Sequence, residues 1–386
     1  MYRPNIEVAD IFREYSHLLT GISKEQWKVV NAIVNCRTEA LGGHLSECNK
    51  CDYKDQSYNS CRNRHCPKCQ FSKKEKWVQK RIEELIPVDY FHAVFTLPHE
   101  LNPLILQNKR VCYELLFRAV SETLKEVAEN PKYLGAKIGF FSILHTWGQS
   151  LVEHPHIHVV IPSGGINEEK KTWVKIKKKF LLPIKVLSLV FRGKYLSFLE
   201  KEYQNGNLEF HGRCEDLQHE KTFKWLLIST TKKKWVVYIK KSFAGPKQVL
   251  NYLGNYTHRI AISNYRVKKL ENGKVHFIIR DYADNNKKKV MVLDVVEFMR
   301  RFLLHVLPRG FVRIRHYGIL GSRFKKVNIE LARSFLKEKA KLIAEIVTIP
   351  KEEPYTFIYE KVFNCPICEG HERLKIIPLS SFYNSS

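Results

Sequence analysis

The sequence predicts an α+β protein: an antiparallel sheet flanked by helices, with a helical and zinc-ribbon domain before it and a small C-terminal extension after it. Two observations predict this class. From residue 90 onward, short apolar strands alternate with helical patterns, and the strands at 139–147 and 156–162 are close enough for an antiparallel hairpin. Residues 44–70 are polar and rich in cysteine, so a metal rather than a buried core is expected to hold them together.

Each element follows from a local pattern. In residues 1–43, apolar side chains such as Ile11, Phe12 and Tyr15 recur at helical spacing. Further along, alternating apolar residues predict strands, and residues that punctuate the pattern, such as Pro87 and Pro308, end helices. The predicted elements after the cysteine-rich segment are a helix at 72–85, a strand at 91–97, a helix at 107–130, the hairpin strands, helical signals at 183–203, a strand at 235–239, a helix at 246–256, a hairpin around Asn285-Asn286, and a helix at 295–307.

These elements group into four units by composition. The predicted units are a helical and zinc-binding domain at 1–86, a core domain at 87–265 with a basic helical insertion at about 165–232, a segment at 266–345 that completes the core, and a tail at 346–386 with a CPxC knuckle.

The charge of the chain predicts a polyanionic partner. Lys and Arg number 65 against 39 Asp and Glu among 386 residues, for a formal net charge of +26. Such an excess favours nucleic acid. No stretch approaches the ~18 consecutive apolar residues of a membrane span, and the start has no apolar signal region. We therefore expect a soluble, cytoplasmic protein without membrane contact, and the ten cysteines are expected to bind metal more than to form disulfides.

Two CxxC pairs in the polar segment predict a structural zinc site. Cys48 with Cys51 and Cys66 with Cys69 present two thiolates each, which completes the tetrahedral coordination of Zn²⁺. A redox pair is the alternative and is disfavoured by the basic neighbours Arg62, Arg64 and Lys68, which are typical of a surface facing nucleic acid. The roles of Cys61, His65 and His44, as ligand, supporting group or part of a second site, stay open. So does the role of Cys365 and Cys368, for which His371 is a possible partner.

The run HPHIHVVI predicts a second metal site. Side chains alternate across a strand, so Ile157, Val159 and Ile161 face a core while His156 and His158 lie side by side on the other face. Paired histidines that bind nothing are the alternative, and the regular apolar alternation favours the metal. A third ligand is expected, and His145 in the preceding strand is the first choice, ahead of Gln149 and His154.

A helix with two tyrosines predicts a nucleophile. Tyr252 and Tyr256 are four residues apart and therefore share a helical face. Such a pair is usually packed in a core, but Gly254 between them costs ~1 kcal/mol relative to Ala, which suggests close approach of a ligand or backbone. Arg259, with His258, is placed to contact phosphate.

Together these residues indicate a phosphoryl-transfer chemistry. A phenol has a pKa near ~10 and is a poor nucleophile at neutral pH. A divalent cation that polarises a phosphodiester makes it a better electrophile. Attack by tyrosine would leave a 5′-phosphotyrosine and a free 3′-hydroxyl, so rejoining needs no nucleotide. The chain has no GxxxxGK[ST] loop, in agreement with this interpretation.

Two lysine runs predict contacts with the phosphates of a nucleic-acid backbone. One lies at 175–179 and includes Lys177 and Lys178, and the other lies at 232–234. Trp173 and Trp235 beside them are candidates for stacking on unpaired bases. A solvated charged face is the alternative for both runs.

Several of these motifs together resemble the transposases of the insertion sequence 91 family, within the wider HUH endonucleases. The resemblance covers about residues 10–325 in matching order. It rests on YNSCRNRHCPKCQ (58–70), FTLPHELN (95–102), LHTWGQ (144–149), HPHIH (154–158) and YLGNYTHRIAISN (252–264).

The resemblance implies an HUH-type antiparallel sheet behind an N-terminal zinc-binding domain. It implies cleavage of single-stranded DNA at transposon ends, with Mg²⁺ or Mn²⁺, during rolling-circle transposition. The HUH pair corresponds to His156 and His158, and the nucleophiles to Tyr252 and Tyr256. A host helicase is a candidate partner, and the need for host factors, the DNA end sequence and the oligomeric state stay open.

Two other functions remain compatible with the sequence. A plasmid replication initiator or relaxase shares the same active site and differs in its DNA target. A zinc-ribbon protein that binds nucleic acid without catalysis explains the charge and the cysteines, but it leaves the histidine strand and the tyrosine helix unexplained.

Overall fold

A computed structural model describes residues 6–48, 51–169, 171–176, 182–241, 254, 261–281, 284–336, 367–368 and 375–379. It confirms the predicted α+β class, because helices flank a five-stranded antiparallel sheet that follows a cysteine-rich N-terminal region. Within the described residues, no helix is both long enough and apolar enough to cross a membrane.

The described elements alternate between helices and short strands along the chain. The helices are α1 (Val8–Tyr15), α2 (Lys24–Val34), α3 (Gln70–Glu83), α4 (Asn102–Gln107), α5 (Lys109–Glu129), α6 (Ile184–Gln204), α7 (Glu220–Thr231), α8 (Val295–Leu304) and α9 (Lys325–Phe335). The strands are β1 (Gly43–Glu47), β2 (Lys54–Tyr58), β3 (Tyr90–Thr96), β4 (Gly139–Trp147), β5 (Glu153–Pro162), β6 (Gly165–Asn167), β7 (Thr172–Val174), β8 (Val236–Lys241), β9 (Val267–Glu271), β10 (Lys274–Asp281), β11 (Lys287–Asp294), β12 (Ile314–Gly318) and β13 (Lys375–Leu379).

The central sheet has the order β12-β4-β5-β3-β8, and every neighbouring pair is antiparallel. β4 and β5 form the predicted hairpin. One face of the sheet is apolar: Ile157, Val159 and Ile161 are fully buried there, as the alternation in β5 predicts. They pack against α5 and α6, in a core that includes Val120 and Phe191. Each such side chain contributes about 1.5–3 kcal/mol through burial, so this layer anchors the strands that carry the histidines.

The opposite face of the sheet is mixed. Its apolar part is covered by α3, where Val78 packs with Ile143 and Val160, and the ring of Trp77 meets that of Phe141 edge-on at 5.7 Å. The histidines of β3, β4 and β5 occupy the rest of this face. One face of the sheet therefore contributes to the hydrophobic core, and the other carries the candidate site.

A second core joins the N-terminal helices to a separate sheet of order β11-β10-β9. Phe12 of α1 meets Phe302 of α8 with ring centroids 5.4 Å apart. The predicted hairpin around Asn285-Asn286 is confirmed, and both residues adopt positive φ (46° and 61°), which asparagine tolerates better than most residues. Of the segment 266–345, β12 completes the central sheet, whereas β9 to β11 and α8 pack on the N-terminal helices.

The described strand of the C-terminal extension lies against the N-terminal domain. β13 pairs antiparallel with β1, and β1 pairs with β2, so the three form one small sheet. The register joins Gly43 to Leu379 at one end and Glu47 to Lys375 at the other. Two segments far apart in the sequence are thus held together, which local sequence patterns do not predict.

Candidate metal centres and active site

Three histidines converge on the mixed face of the central sheet. In the β4–β5 register His145 lies opposite His156, and His158 follows on the same face one strand step later. Ring nitrogens of all three lie within 4.8 Å of one another, and the Nε2 atoms of His156 and His158 are 3.1 Å apart. The structure therefore brings the predicted pair together with His145, the first choice for the third member.

The two alternatives for the third member are placed differently. Gln149 lies in the turn after β4, where its carbonyl oxygen accepts a hydrogen bond from the Arg266 guanidinium. His154 is exposed, and its carbonyl oxygen lies 2.6 Å from His156 Nδ1, which donates to it. Among the described residues, His154 does not belong to the group of converging histidines.

Neighbouring groups hold the histidine rings in orientation. The bond to the His154 carbonyl places the proton of His156 on Nδ1 and leaves Nε2 as an acceptor. His158 Nδ1 lies 2.8 Å from His92 Nε2, and the two rings are stacked at an interplanar angle of 8°. His145 stacks on Trp147 with centroids 4.6 Å apart. Metal-binding histidines characteristically engage their second nitrogen in this way.

Burial keeps His156, His158 and His92 neutral. Desolvation, with a smaller effect from His154, lowers the pKa of His156 to about 3. Desolvation and the neighbouring imidazole of His145 hold the pKa of His158 well below its ordinary value. Burial also lowers the pKa of His92 to about 4. Neutral imidazoles with converging nitrogens are a suitable donor set for a divalent cation.

A buried polar group supports the turn between β4 and β5. The Tyr113 hydroxyl of α5 donates to Glu153 Oε1 at 2.8 Å, and His305 lies 3.5 Å from the other carboxylate oxygen. His305 Nε2 donates to the Leu151 carbonyl, while its Nδ1 accepts from the Thr146 hydroxyl. These contacts tie both ends of the turn to the helix layer and to the segment after α8.

The predicted nucleophiles Tyr252 and Tyr256 lie outside the described residues, as do Arg259, Lys177 and Lys178. Gly254, between the tyrosines, is described as helical and buried. The position of the phenols relative to the histidine cluster therefore stays a prediction.

The four cysteines predicted to share one zinc ion do not form a single group. Cys66 and Cys69 join Cys36 and Cys61, whereas Cys48 and Cys51 join Cys368. The β1–β2 hairpin explains the separation: Cys48 follows the end of β1 at the turn, while residues 36 and 61 lie near the base of the hairpin. Four residue steps of strand separate the two ends by roughly 13 Å, too far for one ion.

The first group contains a cysteine that sequence reasoning missed. Cys36 is fully buried, and its Sγ lies 3.5 Å from that of Cys69, which in turn lies 3.6 Å from that of Cys61. Hydrogen bonds between the thiols lower the pKa of Cys36 to about 7 and hold that of Cys69 below its ordinary value. Cys36 has no CxxC partner, so no local spacing identifies it. Cys61 was an open candidate and belongs to this group.

The basic residues of the cysteine-rich segment have different surroundings. The Arg64 guanidinium donates to the backbone carbonyls of Pro308 and Phe311, so it joins this segment to the chain after α8. His65 Nε2 accepts a hydrogen bond from the Leu307 backbone amide at 3.2 Å, which assigns it to the same contact rather than to zinc. Arg62 is exposed.

The prediction that Trp173 and Trp235 stack on unpaired bases is wrong. Trp173 is 7% and Trp235 5% exposed, and the indole of Trp235 packs edge-on against Phe191 at 5.3 Å. Tyr238 of β8 is an aromatic residue that is exposed on the face of the sheet that carries the histidines. It lies opposite Val94 of β3, and Val94 in turn lies opposite His158 of β5. Lysines next to a tryptophan in the sequence therefore do not indicate whether its indole ring is buried or exposed.

Comparison with known proteins shows similarity along most of the chain. One family model, described as "Putative transposase", matches residues 139–327, and another, described as "Transposase zinc-binding domain", matches residues 7–97. A relative from Sinorhizobium fredii named "Putative transposase y4qJ" is 44% identical over 97% of this chain and 96% of its own length. A second, "Transposase for insertion sequence element IS801" from Pseudomonas savastanoi pv. phaseolicola, is 26% identical over 80% of this chain and 74% of its own. No solved structure matches.

Proposed function

Because the chain belongs to the insertion sequence 91 family of transposases, we propose that it cleaves and rejoins single-stranded DNA at transposon ends through a 5′-phosphotyrosine intermediate. The reaction would serve a rolling-circle form of transposition. The observation that carries the proposal is the group of His145, His156 and His158 on one sheet face, with the second ring nitrogens of His156 and His158 already engaged.

His145, His156 and His158 are the proposed ligands of a catalytic Mg²⁺ or Mn²⁺. Three imidazoles fill only part of an octahedral shell and leave positions for water and phosphate oxygens. When bound, the cation would polarise the phosphodiester and stabilise the charge that develops on its oxygens. The protein supplies the orientation, because β4 and β5 are anchored by the core on the other face.

Tyr252 and Tyr256 are the proposed nucleophiles, on the basis of the family motif and their spacing. A phenol oxygen forms a bond to phosphorus, the bond from phosphorus to the 3′ oxygen breaks, and the proton that leaves the phenol is balanced by the proton that the 3′-hydroxyl gains. Rejoining reverses these steps. Two tyrosines allow one site to hold two cleaved strands in turn.

Cys36, Cys61, Cys66 and Cys69 are the proposed ligands of the structural zinc of the N-terminal domain. Four thiolates complete a tetrahedral shell, so this ion has no open position for chemistry. Its place in the core shared with α1, α2 and α8 suits a structural role.

The proposed substrate is bound through charge and stacking. The net charge of +26 favours DNA, and Arg62, Arg259, Lys177 and Lys178 are the proposed phosphate contacts. Tyr238 offers an exposed ring on the site face for an unpaired base. A host helicase is the proposed source of strand separation, and DNA as substrate fits a cytoplasmic location.

A covalent-adduct assay tests the proposal. The purified chain is incubated with single-stranded transposon-end DNA and Mn²⁺, then analysed on a denaturing gel. We expect a protein–DNA adduct that is lost in the double variant Tyr252→Phe/Tyr256→Phe and in His156→Ala or His158→Ala, while DNA binding persists. The matched controls are Tyr265→Phe and His99→Ala, both at exposed positions.

The alternatives predict other results. An adduct that survives removal of both hydroxyls would refute the tyrosine mechanism. Salt-dependent binding without any adduct under all metal conditions would favour a protein that binds DNA without cleaving it. Separate Tyr252→Phe and Tyr256→Phe variants identify which hydroxyl attacks first.

A further inference from the structure

A second group of cysteines joins the N-terminal hairpin to the C-terminal segment. Sulfur atoms of Cys48, Cys51 and Cys368 lie within 4.8 Å of one another, and Cys48 Sγ is 3.7 Å from Cys368 Sγ. We propose that these thiolates bind a second zinc ion, which fastens the C-terminal segment to the N-terminal hairpin. The site goes beyond the proposed transposase reaction and does not depend on it.

The hairpin turn prepares two of the ligands. The backbone amide of Cys48 donates to the Tyr53 carbonyl at 3.0 Å, which closes the turn and places Cys51 inside it. A turn with CxxC spacing directs two sulfurs to the same side. The strands β1 and β2 contribute little buried surface to stabilise the turn, since most of their residues are half-buried or exposed. Burial of apolar side chains therefore cannot hold this tip in place, and a metal can.

The C-terminal strand brings in the third ligand. β13 pairs with β1 along five residues, and the Lys375 end of β13 lies opposite Glu47, directly before Cys48. Cys368 is seven residues before Lys375, close enough along the chain to reach the turn. The pairing of β13 and the position of Cys368 are separate observations that place this segment at the hairpin tip.

The distances suit zinc better than a disulfide. Two thiolates at ~2.3 Å from one tetrahedral ion are separated by about 3.8 Å, whereas sulfurs in a disulfide are ~2.05 Å apart. The observed 3.7 Å is close to the first value. Three converging thiols also exceed the two that a disulfide requires, and thiolates prefer Zn²⁺ to hard cations.

Cys365 precedes Cys368 by three residues in CPIC and lies outside the described residues, so the proposed site consists of Cys48, Cys51 and Cys368.

The site would act as a clamp between distant parts of the sequence. Cys48 and Cys368 are 320 residues apart, and an ion between them closes a loop that contains the whole central sheet. Its loss should leave the pairing of β13 with β1 as the described contact that holds this segment. The clamp would thus keep this segment beside the N-terminal domain.

Zinc content of the full-length protein tests the inference. We expect two zinc ions per purified chain by elemental mass spectrometry, one in Cys368→Ser or Cys48→Ser, and one in Cys36→Ser. Cys214→Ala, at a buried cysteine outside both groups, is the control and should retain two. Cys368→Ser should also make the C-terminal segment more sensitive to limited proteolysis, with an unchanged circular dichroism spectrum.

Other results would overturn the inference. One zinc in the wild-type chain, or two in Cys368→Ser, would mean that Cys368 binds no zinc. Loss of both ions in Cys368→Ser with an intact fold would mean that the two groups are not independent sites. An intact mass that shows a Cys48–Cys368 disulfide in freshly purified protein would replace the metal with a covalent bond.

Discussion

His92 is the residue that orients His158. Its ring lies parallel to that of His158, and a hydrogen bond of 2.8 Å joins His92 Nε2 to His158 Nδ1. For His158 Nε2 to accept a cation, Nδ1 must carry the proton and His92 must accept it. His92 is therefore a positioning residue: it sets the tautomer of His158, a proposed ligand, and is not itself in the group of three.

Substitution of His92 should weaken metal binding without removing a ligand. His92→Phe keeps a ring for stacking but removes the acceptor, so we expect roughly 10- to 100-fold weaker Mn²⁺ affinity. His92→Gln, which retains an acceptor oxygen, should recover part of it. Calorimetric titration with Mn²⁺ measures both, and His99→Phe is the exposed control. Equal Mn²⁺ affinity in the Phe variant would contradict this role.

At the scale of elements, β12 is attached to the helices by a histidine that must stay neutral. The Arg81 guanidinium of α3 donates to His316 Nε2 at 2.9 Å, which leaves no room for a proton on that atom. Burial first, and then the charges of Arg81 and Lys325, lower the pKa of His316 to about 4. Glu84 binds both cations, Arg81 and Lys325, and completes the cluster between α3, β12 and α9.

This arrangement predicts sensitivity to acid. The unfolded chain binds a proton at His316 near pH ~6.5, whereas the folded chain does so only near its lowered pKa, so stability should fall as the pH drops through this interval. His316→Asn should make the melting temperature depend less on pH between 7 and 5. His99→Asn, at an exposed site, should leave the dependence as it is. If the melting temperature of His316→Asn depended more steeply on pH than that of the wild type, protonation of His316 would not destabilise the folded chain.

At the scale of the whole molecule, the distribution of positive charge over the fold bears on the binding of DNA. The excess of positive charge is spread over a fold whose N-terminal domain, second sheet and central sheet are joined by buried contacts. Lys232, Lys233 and Lys234 are exposed just before β8, the edge strand that carries Tyr238, and Lys233 is paired with Glu100 at 2.9 Å. Lys232 and Lys234 are therefore the better candidates for phosphate contacts in this run.

Removal of these two charges should change the salt dependence of DNA binding. Each lost contact with single-stranded DNA reduces the slope of log K against log salt by about 0.7, so Lys232→Ala/Lys234→Ala should reduce it by up to about 1.4. Fluorescence anisotropy at several salt concentrations measures the slope. Lys224→Ala, whose ammonium is paired with Glu220, is the matched control. A slope equal to that of the wild type would exclude this lysine run from the DNA interface.

Local patterns in the sequence were sufficient for much of the fold. The alternation in β5 places Ile157 and His158 on opposite faces because the strand geometry alone sets this orientation. The Asn285-Asn286 pair predicts its hairpin because few residues other than glycine tolerate positive φ. In both cases the determining interactions lie within a few residues of the chain.

Contacts between residues that are far apart in the sequence could not be predicted from such local patterns. The inclusion of His145 depends on the register between β4 and β5, which the sequence left open. The inclusion of Cys36 and Cys368 depends on how α2 and β13 pack around the β1–β2 hairpin. CxxC spacing predicts which two thiols can bind the same ion. Which further cysteines join such a pair depends on the length and direction of the strands between them. These are set only when the chain folds.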